Sequence, residues 1–124
     1  MQDLIIQKSA NTPQVEFSAG QGLLKIEGRS IPENPSSFYR PLSQWLQDYF
    51  KQPKDVTQFN IKLEYINSGS SKSLLEMLRN LKDYNVLSKK VNITWYYESD
   101  DEAVQELGEH FSNTLKTKFE FVSY

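Results

Sequence analysis

The chain has no cysteine and a single histidine, His110, among its 124 residues. The first absence removes a thiolate nucleophile, a disulfide framework and every Cys-based zinc site. The second leaves no histidine pair for a metal and no obvious catalytic triad. Neither sign of charge dominates: 14 Lys and Arg stand against 16 Asp and Glu, a net charge of −2, so there is no basic footprint for DNA or RNA. Long apolar runs are missing too. No stretch approaches the ~20 residues of a membrane span, and the start MQDLIIQKSA lacks the charged-then-apolar layout of a signal segment. There is no repeat, low-complexity tract or long linker. These absences point to one cytoplasmic domain spanning 1–124, without cofactor or metal, long enough to bury roughly 65–70% of its unfolded surface without a staple.

The hydrophobic pattern that remains switches period along the chain. Leu4-Ile5-Ile6 reads as a short strand. Gln14–Ser18 alternates on Val15 and Phe17, and after the turn signal Ala19-Gly20-Gln21-Gly22 the alternation resumes at Leu24-Lys25-Ile26-Glu27, a β-hairpin signature. Pro35–Lys51 carries Phe38, Leu42, Trp45, Leu46, Tyr49 and Phe50 at helical spacing, behind the cap signal Asn34-Pro35 and ahead of Pro53. Thr57–Ile66 returns to period two, with Phe59, Ile61, Leu63 and Tyr65 on one face. Ser70–Asn85 is predicted as a second helix on the stripe Leu74, Leu78 and Leu81, with Ser73 and Glu76 as a capping box. Lys89-Lys90 reads as a charged turn. Val91–Glu98 alternates, with Val91, Ile93, Trp95 and Tyr97 inward. A third helix starts at Ser99-Asp100 on the stripe Val104, Leu107, Phe111 and Leu115, with His110 off it in solvent; Lys118–Val122 closes the chain as a strand.

The order β-β-β-α-β-α-β-α-β implies parallel pairing through right-handed crossovers. Parallel strands covered on both faces are apolar throughout, whereas these alternate. The expected fold is therefore α/β, a two-layer domain with a mixed β-sheet and helices packed mainly on one face.

Three loops carry the chemistry available. Asn67-Ser68-Gly69-Ser70-Ser71-Lys72 brings three hydroxyls to the start of a helix, where unpaired N–H groups and the dipole favour an anion. The same residues are also ordinary caps and turn formers, and the spacing of a Walker A loop is absent. Gly28–Pro35 is a stiff connection in which Arg29 either pairs with a carboxylate or faces a phosphate. Trp95–Glu102 runs an aromatic strand into Asp100, Asp101 and Glu102. Such carboxylates suit Mg²⁺ or acid–base work, and equally suit the positive end of a helix. Tyr96, on the polar side of its strand, suits contact with a protein partner.

Taken in order, Leu24–Asn34, Leu63–Lys72 and Trp95–Glu98 resemble the bacterial SiaC family over nearly the whole chain. The resemblance implies a STAS-type fold, that of the anti-sigma-factor antagonists, and a phospho-switch in place of an enzyme. A partner Ser/Thr kinase phosphorylates one hydroxyl and a PP2C-type phosphatase removes the phosphate. In the best-known member of that family the unphosphorylated form binds and activates a diguanylate cyclase, raising cyclic-di-GMP and favouring aggregation or biofilm, and the resemblance implies the same here. The family's phosphorylated threonine aligns with Ser68; here serine replaces threonine and Gly69 replaces a common hydroxyl residue, with Ser70 and Ser71 as neighbouring alternatives. The implied partner surface comprises Asn67, Ser68, Gly69, Ser70, Ser71 and Lys72, flanked by Arg29, Glu33, Asn34 and Tyr96. Two other readings accompany it: an anti-sigma-factor antagonist using the same switch, and a small nucleotide-binding or enzymatic domain built on Arg29, Glu98, Asp100 and Asp101.

Overall fold

The computed structural model describes residues 1–83 and 90–124. The elements are β1 (Leu4–Ile6), β2 (Gln14–Ser18), β3 (Leu23–Ser30), α1 (Pro35–Tyr49), β4 (Val56–Ile66), α2 (Ser68–Asp83), β5 (Lys90–Tyr97), α3 (Glu102–Leu115) and β6 (Glu120–Ser123). The end of the expected second helix beyond Asp83, and Lys89 of the expected charged turn, lie outside the described residues.

All six strands form one sheet in chain order, β1-β2-β3-β4-β5-β6. The first three pair antiparallel, and β3 to β6 pair parallel. Three crossovers of one hand that step in one direction put their helices on one face. Alternation then sorts the strands: Val15, Phe17, Leu24, Ile26, Phe59, Ile61, Leu63, Ile93 and Trp95 are buried. The opposite positions, among them Lys25, Glu27 and Asn60, are exposed or half-buried and form an open face. From the helices come Leu42, Leu46, Leu74, Met77, Leu78, Leu81, Val104, Phe111 and Leu115. Each such side chain contributes about 1.5–3 kcal/mol when withdrawn from water.

Four expectations need correction. Tyr65 continues the alternation of β4, yet it is 53% exposed. Between Gly28 and Arg29 the register slips: Gly28 pairs with Leu63 but Arg29 pairs with Tyr65, so Glu64 is an extra residue in β4. That bulge turns Tyr65 to the open face beside Arg29 and returns Ile66 to the core side. On β3 it is matched by Gly28, whose φ of +123° is a conformation L side chains avoid. Second, α2 begins two residues early, at Ser68, so Ser73 lies in its second turn and caps nothing. Third, Tyr39, outside the expected stripe of α1, is fully buried, while Phe38 and Trp45 are only half covered. Finally, α3 starts at Glu102 with Asp101 as its cap, Asp101 Oδ1 accepting from Val104 N at 3.1 Å.

Tyr39 and Ser30 share a buried hydrogen bond of 2.8 Å between their hydroxyls. Burial pushes the Tyr39 phenol up to about 12, with the bond to Ser30 partly opposing the rise. The unfolded chain releases that proton near pH 10, so the stability tied to this phenol is intact below ~10 and disappears as pH rises towards ~12, about 2–3 kcal/mol in all. Urea unfolding between pH 9 and 11.5 is expected to show this loss in the wild type and a shallower one in Tyr39→Phe. Parallel slopes would mean that the phenol is not held protonated by the fold.

Candidate functional site

In a parallel sheet the helix that follows each strand begins at the strand's C-terminal edge. α1, α2 and α3 therefore all begin along one edge, at the ends of β3, β4 and β5, and their N-terminal N–H groups give that edge a positive bias. Asn67 organises its middle. Its backbone N–H donates to Ser30 O (3.2 Å), tying the start of α2 to the end of β3, and its Oδ1 accepts from Ser70 N (2.8 Å) as the helix cap. Ser71 N donates to Asn67 O at 2.9 Å, the first helical bond. The expected loop is thus the first turn of a helix.

That turn sorts the three hydroxyls. Ser68 is exposed, Ser71 is half-buried, and Ser70 is fully buried with its Oγ lacking a hydrogen-bond partner. A hydroxyl sealed like that of Ser70 offers no approach to a modifying enzyme. Gly69 sits against the neighbouring helix start: a Cβ there would come within 3.1 Å of Pro35 Cγ, so a larger residue requires the Pro35 ring to give by a few tenths of an ångström. Asn34 Oδ1 caps α1 by accepting from Ser37 N (3.2 Å), and Glu33 beside it is exposed. Lys72 is exposed in the second turn of α2. The fold therefore joins 67–72 to Asn34 and Pro35 at one corner.

Arg29 and Tyr96 stand on the open face instead. The Arg29 guanidinium lies 5.8 Å from the centre of the Tyr65 ring, a cation–π arrangement rather than the internal carboxylate pair open to it in the sequence. Tyr96 is half-buried in register with Lys62 on β4 and Val122 on β6. Lys62 Nζ is 4.5 Å from the Tyr124 ring centre and 3.7 Å from Glu27 Oε1. Partial burial, and then the negative field of Glu98, Glu64, Glu27 and Asp101, raise the Tyr124 phenol above its ordinary range. Four carboxylates from three segments thus act on one place. Among the described residues no three His, Asp or Glu side chains stand together as a metal site, and Asp101 is engaged as a helix cap.

Beside Ser68 runs a groove of about 420 Å³, lined by Glu64, Tyr65, Ile66, Ser68, Ser71, Asp101, Ala103, Val104 and Leu107. The sequence reading missed it. Leu107 belongs to the apolar stripe of α3 and reads as core, but it is only half covered. The groove is assembled from β4, α2 and α3, and no contiguous motif records it. No helix among the described residues is long and apolar enough to cross a membrane.

Known proteins resemble this arrangement throughout. Residues 6–124 match the family described as SiaC family regulatory phosphoprotein. An uncharacterized protein of Pseudomonas aeruginosa strain UCBPP-PA14 is 27% identical over 119 residues, 96% of this chain and 94% of its own. The structure of SiaC of Pseudomonas aeruginosa superposes with a TM-score of 0.85 at 25% identity, covering 100% of this chain and 98% of that one. The crystal structure of diguanylate cyclase SiaD in complex with its activator SiaC, from the same organism, contains a chain with a TM-score of 0.89 at 24% identity, covering 98% of this chain and 100% of that one.

Proposed function

The chain belongs to the SiaC family of regulatory phosphoproteins, and on that footing we propose that it is a phospho-switch with no catalytic activity of its own. Ser68 is the acceptor. A Ser/Thr kinase adds the phosphate, a PP2C-type phosphatase removes it, and the unphosphorylated form binds and activates a diguanylate cyclase in the cytoplasm, with cyclic-di-GMP-dependent biofilm or aggregation as output. The whole of 1–124 acts as one domain, and residues 67–72 with Glu33 and Asn34 form the centre of the partner surface, Arg29 and Tyr96 its flank. The observation that carries this reading is the placement of Ser68: an exposed hydroxyl, one residue past the Asn67 cap, at the mouth of a groove. The SiaC of Pseudomonas aeruginosa, named as the activator of a diguanylate cyclase, supports the choice of partner.

Phosphorylation would place about −1.5 to −2 charges on the first residue of α2, where helix N–H groups accept an anion. Incubation with the kinase and labelled ATP is expected to phosphorylate the wild type and Ser70→Ala alike and to leave Ser68→Ala unlabelled. Undiminished labelling of Ser68→Ala would remove Ser68 as the acceptor. Unmodified protein is expected to raise the rate at which the cyclase forms cyclic-di-GMP; an unchanged rate would remove the cyclase as the output.

A further inference from the structure

We infer that the groove beside Ser68 is the seat of the partner protein, and that it takes a cationic segment anchored by one apolar side chain, with the cation meeting Glu64 and Asp101. This rests on the regulatory reading above and adds the chemistry of the partner.

The floor is apolar. Ile66 and Leu107 are half covered and Ala103 is exposed, so the helix layer leaves their surfaces for something else to bury. The space suits a leucine or phenylalanine side chain with the backbone that carries it. The rim is acidic. Glu64 reaches it because the bulge in β4 inserts that residue where Leu63 and Tyr65 would otherwise be adjacent on the ladder. Asp101 reaches it as the cap of α3, with Glu98, Asp100 and Glu102 close by in the chain. The upward shift of the Tyr124 phenol, due first to burial, carries a further contribution from Glu98, Glu64 and Asp101. Of the described cations near this edge, Lys62 lies against Glu27 and Tyr124 and Arg29 against Tyr65, while Lys72 stands exposed on α2. An acidic rim around an apolar floor is complementary to a lysine or arginine flanking an apolar anchor. Ser68 and Ser71 form the opposite wall, so a phosphate on Ser68 stands in the mouth of the groove and obstructs the anchor by its bulk and its hydration.

Two probes test this on the full chain. A synthetic amphipathic helix of leucine and arginine is expected to shift the amide resonances of Ile66, Ala103 and Leu107 in nitrogen-15 spectra, and the same peptide with glutamate for arginine is expected not to. Ala103→Trp, which fills the groove from an exposed position, and Glu64→Lys are each expected to reduce the affinity for the arginine peptide and for the cyclase at least tenfold, while the circular dichroism of both variants stays that of the wild type. Equal responses to the two peptides, or no response to either, would overturn the inference. So would cyclase binding that both variants retain, or self-association of the free chain that Ala103→Trp abolishes, which would give the groove to a second copy. If the peptide results hold and the wild type fails to bind the cyclase, the groove chemistry stands and the choice of a cyclase as partner falls.

Discussion

Replacing Trp95 by alanine is expected to lower the unfolding free energy by about 3–5 kcal/mol, a large part of the ~5–15 kcal/mol that holds a domain folded. Trp95 is fully buried on β5, edge-on to Phe111 (5.5 Å between ring centres, 72°) and stacked on Phe119 at 6.3 Å. Its Nε1 donates to Val104 O at 2.9 Å, fixing the indole against the backbone of α3. The approach is so close that a Cβ on Gly108 would lie 2.5–2.7 Å from three indole ring atoms. Gly108 is thus the position at which α3 settles on the sheet. Gly108→Ala gains about 1 kcal/mol in helix propensity, yet the ring cannot move without losing its hydrogen bond. We expect a net loss of about 1–3 kcal/mol from overpacking, partly restored when Trp95→Phe is added, as contacting sites are not additive. Urea unfolding of the four proteins measures the cycle. A Gly108→Ala protein as stable as the wild type would show that the indole does not rest on this helix.

The second large effect concerns association. Protein phosphorylated on Ser68 is expected to bind the cyclase at least 100-fold more weakly than the unmodified form, a difference of ~2.7 kcal/mol. The size follows from burying a dianion at a contact: its water must be removed, and a partner cation already matched to Glu64 and Asp101 is not free to replace that water. Titration calorimetry on the two forms measures it directly, and equal Kd values would remove the switch. Ser68→Asp carries charge with less bulk and is expected to fall between them.

Most of the layered fold was legible because burial imposes a period. Strands covered on one face must alternate, and Phe59, Ile61, Leu63, Ile93 and Trp95 do so; the stripe Leu74, Leu78 and Leu81 turns at helical spacing onto the same core. What escaped depends on contacts between distant residues. Tyr65 extends a faultless alternation, and only pairing with β3 shows the extra residue at Glu64. Tyr39 goes inside because Ser30 waits there for its hydroxyl, a partner that hydropathy does not reveal. The start of α2 was misplaced because Ser68 and Gly69 are poor helix formers, and the cap that fixes them, Asn67, is itself held by Ser30 of β3. The segment 67–72 stood out through its hydroxyls. The groove did not, since Ile66, Ala103 and Leu107 are ordinary core-type residues whose incomplete cover is a property of the assembled layers.

The sheet ends in strands of very unequal length to those at its centre: β1 has three residues and β6 has four, against eleven in β4. An outermost strand exposes unpaired N–H and C=O groups to which any extended chain can add, and short edges give such additions few rungs. On the proposed reading, a molecule that joins and leaves a partner on command must not polymerise through its own backbone. Brief edges would confine its stickiness to side chains, where a phosphate could reach it.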